Sequence, residues 1–305
     1  MNEPWVYLDG QWLAASKASL SLTDAGFVLG ATIAEQLRTF HGKIFRLDDH
    51  LARLEHSLKL LGIDPGVTRK KLAELAREII ARNHRLLEQG DDLGLSIFVT
   101  PGLYPAYSDT PGPTHPTLCL HTYALPFRLW AEKYRTGQFL ATTTIQQVPT
   151  ECWPAEIKCR SRMHFYLADR QASHNHPGSR ALMLDRDGNV TEASTANLLI
   201  YRREEGLISP PGSKILPGIS LMELLEIAAN LNIPCVERNF TPAEVASADE
   251  VLLSSTPFCM LPSTRLNGQP ISSGQPGEIF HRLLAAWSKI VDVDIAHQAE
   301  RFCAR

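Results

Sequence analysis

Cysteine is too scattered in this 305-residue chain to build a framework. The six, Cys119, Cys152, Cys159, Cys235, Cys259 and Cys303, include no CxxC pair, which argues against a disulfide scaffold or a structural zinc site and predicts reduced thiols. An excess of basic charge is missing too: 30 Lys and Arg against 33 Asp and Glu leave a formal charge of -3, no field for holding a phosphate backbone. Nucleic acid is therefore not an expected partner, and a small molecule is. No stretch nears ~18 uninterrupted apolar residues, and the N-terminus MNEPWVYLDGQW has neither the basic nor the apolar region of a secretion signal. No membrane is expected, and the reading is cytoplasmic. Of the eleven histidines, His174 and His176 stand two apart beside Pro177-Gly178, which reads as a surface turn, and no metal is expected. Repeats and low-complexity tracts are absent. What remains, 44% hydrophobic and 21% charged residues, is ordinary globular composition over a length that suits two domains.

The chain reads as α/β. Trp5 to Leu13 is a hairpin turning at Asp9-Gly10. A second hairpin, Ile33 to Phe40 and Lys43 to Leu47, turns at His41-Gly42, after which Asp48 or Asp49 is expected to cap a helix carrying Leu51, Leu54, Leu58 and Leu61 and stopped by Gly62. A helix from about Thr68 to Glu88 and strands Leu95 to Thr100 and Thr117 to Ala124, bracketing a loop at 101–116, complete a small N-terminal α/β domain, 1–124. LPFRLWAEKYRT breaks the pattern and marks a linker at 125–136. The larger C-terminal domain, 137–305, has strands Phe139 to Gln147, Ala181 to Asp185, Asn197 to Tyr201, Pro234 to Asn239 and Glu250 to Ser254. Its helices are Ser220 to Leu231, one opened by the capping box Thr241 to Glu244, and Gly277 to Ile290.

Five short features carry chemistry, each weak alone. Lys158, in EIKCRSR before the helical stretch Met163 to Ala172, is a surface charge or a reactive amine. NVTEASTAN sets one carboxylate, Glu192, among small hydroxylated residues in what is otherwise a polar turn. In KILPGIS, Gly218, Ile219 and Ser220 open an apolar-periodic helix whose free N–H groups and dipole suit an anion, with Ser220 as a plain N-cap the simpler alternative. SSTP, with Thr256, ends a strand in hydroxyls. Arg53, one residue off the leucine stripe of DDHLARL, is either a surface arginine or a phosphate ligand.

In the order DDHLARL, IK, VTEASTAN, LPGIS, SST, and at these distances, the motifs resemble the fold type IV pyridoxal-phosphate enzymes, or class IV aminotransferases. That family includes branched-chain and D-amino acid aminotransferases, R-selective amine transaminases and aminodeoxychorismate lyases. The resemblance runs from Tyr7 to about Trp287. It implies a two-domain architecture with a pseudobarrel-like sheet in the larger domain, pyridoxal 5'-phosphate in the cleft between the domains, and a homodimer. It implies ping-pong transfer of an amino group from an amino acid or amine to a 2-oxo acid through an aldimine on Lys158, which also shuttles the proton. Glu192 would pair with the pyridine nitrogen, and Arg53, Ile219, Ser220 and Thr256 would form the phosphate cup. A lyase of the aminodeoxychorismate type, releasing pyruvate by β-elimination, is the alternative. A cofactor-binding protein without turnover fits poorly with an intact Lys158 and Glu192.

The chain also departs from the family. Where D-amino acid and lyase members place an arginine after the strand ending Phe98-Val99-Thr100, this chain has Pro101. In GATIAEQLRTF the family usually has an aromatic residue directly before Glu35, and this chain has Ala34, which implies a wider pocket on that side. After the lysine come Cys159-Arg160-Ser161-Arg162, and either arginine could bind a substrate carboxylate or brace the loop. A helical turn there would favour Arg162, four residues on, whereas an extended stretch would put both arginines on the lysine's side.

Overall fold

In a computed structural model, residues 3–107 and 115–304 are described; part of the expected loop at 101–116 lies outside them. The chain divides into two compact units, Met1–Leu125 with Ile157–Ser161, and Pro126–Glu156 with Arg162–Arg305.

The first unit is a six-stranded antiparallel sheet with two helices on one face. Its elements are β1 (Trp5–Leu8), β2 (Gln11–Ala14), the short helix α1 (Ala25–Val28), β3 (Ile33–Phe40), β4 (Lys43–Ile44), α2 (Leu47–Leu61), α3 (Arg69–His84), β5 (Leu93–Thr100) and β6 (Thr117–Ala124), with strand order β2-β1-β6-β5-β3-β4. The core follows the period of two. Ile33 and Leu37 of β3, Leu95, Ile97 and Val99 of β5, and Leu118 and Leu120 of β6 pack with Leu51, Leu54 and Leu58 of α2 and Leu72, Leu75 and Ile79 of α3. Ala34, Phe98, Cys119 and Val6 form a smaller cluster of their own. Helix α2 corrects one expectation: it starts at Leu47 behind Arg46, which has a left-handed φ of 50° and no side-chain cap. Asp48 and Asp49 therefore sit inside the first turn, where they favour the helix dipole instead of capping it.

The second unit contains α4 (Lys133–Thr136), β7 (Gln138–Thr142), α5 (Met163–Asn175), β8 (Ser179–Leu184), β9 (Val190–Ala193), β10 (Asn197–Arg202), β11 (Gly206–Ser209), α6 (Ile219–Asn230), β12 (Cys235–Glu237), α7 (Pro242–Ala246), β13 (Glu250–Ser255), β14 (Cys259–Leu266), β15 (Gln269–Pro270), α8 (Glu278–Val291) and α9 (Ile295–Arg301). Eight strands run in the order β12-β11-β10-β13-β14-β7-β8-β9, with β15 on β14. A bridge between Ala193 and Ala196 returns β9 to the foot of β10, so the sheet curls back on itself. The capping box is formed, Thr241 and Glu244 satisfying each other's backbone. The strand expected to reach Gln147 stops at Thr142, whose N–H and hydroxyl turn to Asn267. Among the described residues no helix is long and apolar enough to cross a membrane, and no cluster of three or more metal-ligating side chains occurs.

Candidate active site

Glu35 shares the parity of Ile33 and Leu37, so β3 delivers a carboxylate into an apolar core. Burial alone would protonate it. Helix α2 answers with two groups three residues apart on one face: Arg53 donates Nε and Nη2 to the two carboxylate oxygens at 2.8 Å each, and His50 Nδ1 lies 2.7 Å from Oε2. All three side chains are buried. Desolvation pushes Glu35 up, but the Arg53 charge and hydrogen bonds outweigh it and hold the carboxyl far below its ordinary range. His50 is pushed down, first by burial. Arg53, read from sequence as a phosphate ligand, thus has a bidentate partner in the fold, and Glu35 and His50 are partners the sequence reading missed. The signal was present: an acid between two core positions needs a cation.

Removing the Glu35 charge strands a buried guanidinium, so Glu35→Gln should lower unfolding free energy by about 3–5 kcal/mol. The wild type should also weaken on acidification. His50, with a lowered folded pKa, contributes fully above its ordinary 6.5 and less below it; Glu35 contributes fully above its ordinary 4.5 and loses that contribution as pH falls further. Denaturant titrations from pH 7 to 4 check both, and a Glu35→Gln slope equal to wild type below pH 4.5 would refute the assignment.

Lys158 is fixed by its main chain. Its carbonyl accepts from the Ala34 N–H at 3.0 Å, and its N–H donates to Ser57 Oγ of α2 at 3.3 Å. Cys159 bridges Ile33, and Arg160 N–H donates to the Thr32 carbonyl. This stretch is therefore extended. Ile157 and Cys159 pack against the helix-side core, so Lys158 and Arg160 occupy positions of the other parity, and the Lys158 charge reaches His50 of α2. Arg160 Nη2 donates to Ser96 Oγ at 2.7 Å, with its guanidinium 5.4 Å from the Phe98 ring centre. Ala34 is buried with the same Phe98 and with Val6 and Cys119. Arg162 is separate: it stands at the N-cap position of α5 without a capping hydrogen bond and belongs to the second unit.

In the second unit three motifs meet at Asn197. Its backbone pairs with Ser254 across β10 and β13, and its Nδ2 donates to the Leu216 carbonyl at 2.9 Å. A Cβ on Gly218 would collide with Asn197 Oδ1, so glycine is required there for close approach, not for an unusual φ. Helix α6 begins at Ile219 with Gly218 as N-cap and no side-chain cap; Ser220 is inside the first turn, not the cap. Ser255 Oγ donates to the Thr195 carbonyl, Thr256 follows half-buried, and Ser254 Oγ is buried without a partner. Glu192, 7% exposed on β9, accepts from Gln147 Nε2 at 2.7 Å. Gln147 and Asn197 carried no sequence signal of their own.

The description "amino-transferase class IV" belongs to a family model that matches residues 32–266. The chain belongs to the class IV aminotransferases. It is 29% identical over 293 residues to the D-alanine aminotransferase of Staphylococcus aureus (strain N315), covering 94% of this chain and 98% of that one, and 27% identical over 274 residues to that of Bacillus licheniformis, covering 90% and 92%. Among solved structures it resembles the branched-chain aminotransferase of Thermoproteus uzoniensis crystallised with norvaline, with TM-score 0.83, 25% identity and coverage of 99% and 97%. It likewise resembles the branched-chain enzyme of Escherichia coli, with TM-score 0.83, 20% identity and coverage of 95% and 94%. The architecture is thus fold type IV, and the activity is transamination. Class IV aminotransferases are pyridoxal-phosphate enzymes, and the residues of this one fit that group: an uncapped helix start and a hydroxyl-rich strand end supply anion donors, and a buried carboxylate on β9 suits a protonated ring nitrogen. Pro101 follows a strand end closed by Asp24, which accepts from the hydroxyls of Thr100 and Thr117 at 2.8 Å each.

Proposed function

We propose that this class IV aminotransferase moves an amino group between an amino acid and a 2-oxo acid, with Lys158 as its proton carrier and Arg160 as its anchor for the substrate carboxylate. The observation that carries the reading is the extended backbone at Lys158, Cys159 and Arg160, held to β3 so that the two cations stand two residues apart at positions of one parity. Pyridoxal phosphate, when bound, supplies an electron-accepting ring for the pair released at the substrate α-carbon. Lys158 Nζ takes the α-proton and returns it during the transfer. Glu192 keeps a proton on the ring nitrogen, and Gln147 orients the carboxylate. The first-turn amides of α6 at Ile219 and Ser220, the Thr256 hydroxyl and Arg53 hold the phosphate, Arg53 being oriented by Glu35. Ala34 lines the substrate side with Arg160, and Arg162 bounds the loop. The relatives and structures named above are aminotransferases, which favours transamination over the lyase alternative. A homodimer in the cytoplasm belongs to the same reading; exposed Leu22 and Phe27, at 77% and 71%, suit a covered surface, and all six cysteines are free thiols.

The test is a set of half-reactions, following conversion of the pyridoxal to the pyridoxamine form of the cofactor with D- and L-amino acids and with simple amines. Conversion by amino acids supports the reading; release of pyruvate with no pyridoxamine form supports the lyase instead. Arg160→Ala should weaken amino acids about tenfold to a hundredfold and leave amines almost unchanged, since only the former offer a carboxylate. Equal losses would make Arg160 a brace for Ser96 and Phe98.

A further inference from the structure

The second unit carries a pair of cations that transamination does not use. Arg180 lies on β8 opposite Leu140 of β7. Its neighbour Ala181 packs with Ala168 and Ala172 of α5, so Arg180 leaves the sheet on the other face. There its guanidinium carbon is 5.7 Å from the Phe258 ring centre. Tyr134 of α4 donates its hydroxyl to the Phe258 carbonyl at 2.7 Å, which brings adjacent Lys133 to the same place. Lys133 Nζ donates to Gln138 Oε1 at 2.6 Å, and Gln138 Nε2 to the carbonyl of Gly178, two residues before Arg180, at 3.1 Å.

Among the described residues no carboxylate is hydrogen-bonded or ion-paired to either cation. Arg180 Nη1 is sealed from solvent and has no acceptor. The Asp169 charge reaches Arg180 and offsets part of the pair's, while its Oδ1 accepts from the Ala181 N–H at 3.0 Å and from Ser194 Oγ at 2.6 Å. Burial, and then the Arg180 charge, push the Lys133 ammonium down. Two like charges with one donor sealed and unmet are costly unless an anion joins them.

We propose that Arg180 and Lys133 form a binding site for a small oxyanion, a carboxylate or a phosphate, separate from the transamination chemistry. The arginine fork matches two oxygens of either, the lysine adds a point charge, and the Phe258 face supplies an apolar wall. Phe258 is two residues beyond Thr256, so an anion held there braces the turn that ends β13.

The test uses the holoenzyme, so that the phosphate of pyridoxal phosphate occupies its own cup. Thermal unfolding is followed while inorganic phosphate or acetate replaces chloride at constant ionic strength. A saturable rise in the midpoint is expected, and which anion saturates at lower concentration distinguishes phosphate from carboxylate. Arg180→Met should lose the saturable response and, without the anion, be at least as stable as wild type, because an unmet charge has been removed. Lys133→Met should need about tenfold more anion. A response without saturation, equal in all three proteins, is a general salt effect and overturns the site, as does a saturable response that survives in Arg180→Met. Should Arg180→Met fail to fold, Lys133→Met decides: an unchanged half-saturating concentration rejects the site.

Discussion

Lys158→Ala is expected to lower transamination by at least about a thousandfold, because it removes the proton carrier and the amine that captures the cofactor in one step. The protein should still fold. The backbone contacts that place this residue, to Ala34 and Ser57, belong to its carbonyl and N–H and survive truncation, while Ile157 and Cys159 keep the stretch docked on the core. Binding should survive too, so pyridoxamine phosphate, which forms no bond to the lysine, should retain most of its affinity. The direct check is borohydride reduction of the loaded wild type followed by peptide mapping, with the label expected on Lys158. The rival lysines are engaged: Lys214 Nζ donates to Asp185 Oδ2 at 2.7 Å and to Asn239 Oδ1 at 3.0 Å, and Lys133 is bonded to Gln138. Label on either would remove Lys158 from its role.

That lysine shows how far the sequence could be read. The order of five motifs singled it out, and local patterns located the hairpins, α2, α3 and the capping box, since each depends on neighbours within one turn or one strand. Strand β14 went unread because Pro262 in its middle normally argues against an inner strand; here it pairs with Leu252 between β13 and β7. Short β11, four residues at Gly206–Ser209, offers too little alternation to see. The site residues that escaped are those whose partners are distant in sequence. Glu35 with Arg53, Gln147 with Glu192, and Asn197 with Leu216 are separated by 18, 45 and 19 positions, and no periodicity encodes such pairs. The direction of Arg160 was equally hidden, because it depends on whether the loop is extended, and that is decided by its docking on Ile33.

Glu192→Gln isolates charge from geometry. Glu192 accepts a hydrogen bond from Gln147 Nε2 through Oε1, and a glutamine amide keeps an oxygen that can accept that bond, so β9 need not move. What disappears is the negative charge, in a site where the residue is 7% exposed and solvent cannot replace it. A proton on the ring nitrogen then loses its counter-charge, and electron withdrawal from the substrate α-carbon weakens. Removing one preorganised electrostatic contact of this kind costs about 10²–10³ in turnover. Cofactor affinity, carried mainly by the phosphate contacts, should fall much less. Gln147→Leu should give a smaller loss with the same sign, because the carboxylate keeps its charge and loses only its orientation. Rapid-mixing half-reactions on all three proteins, with equilibrium binding of pyridoxamine phosphate measured alongside, separate the two effects. If Glu192→Gln turns over near the wild-type rate, the carboxylate is a structural partner of Gln147, and the ring nitrogen must take its proton from another group.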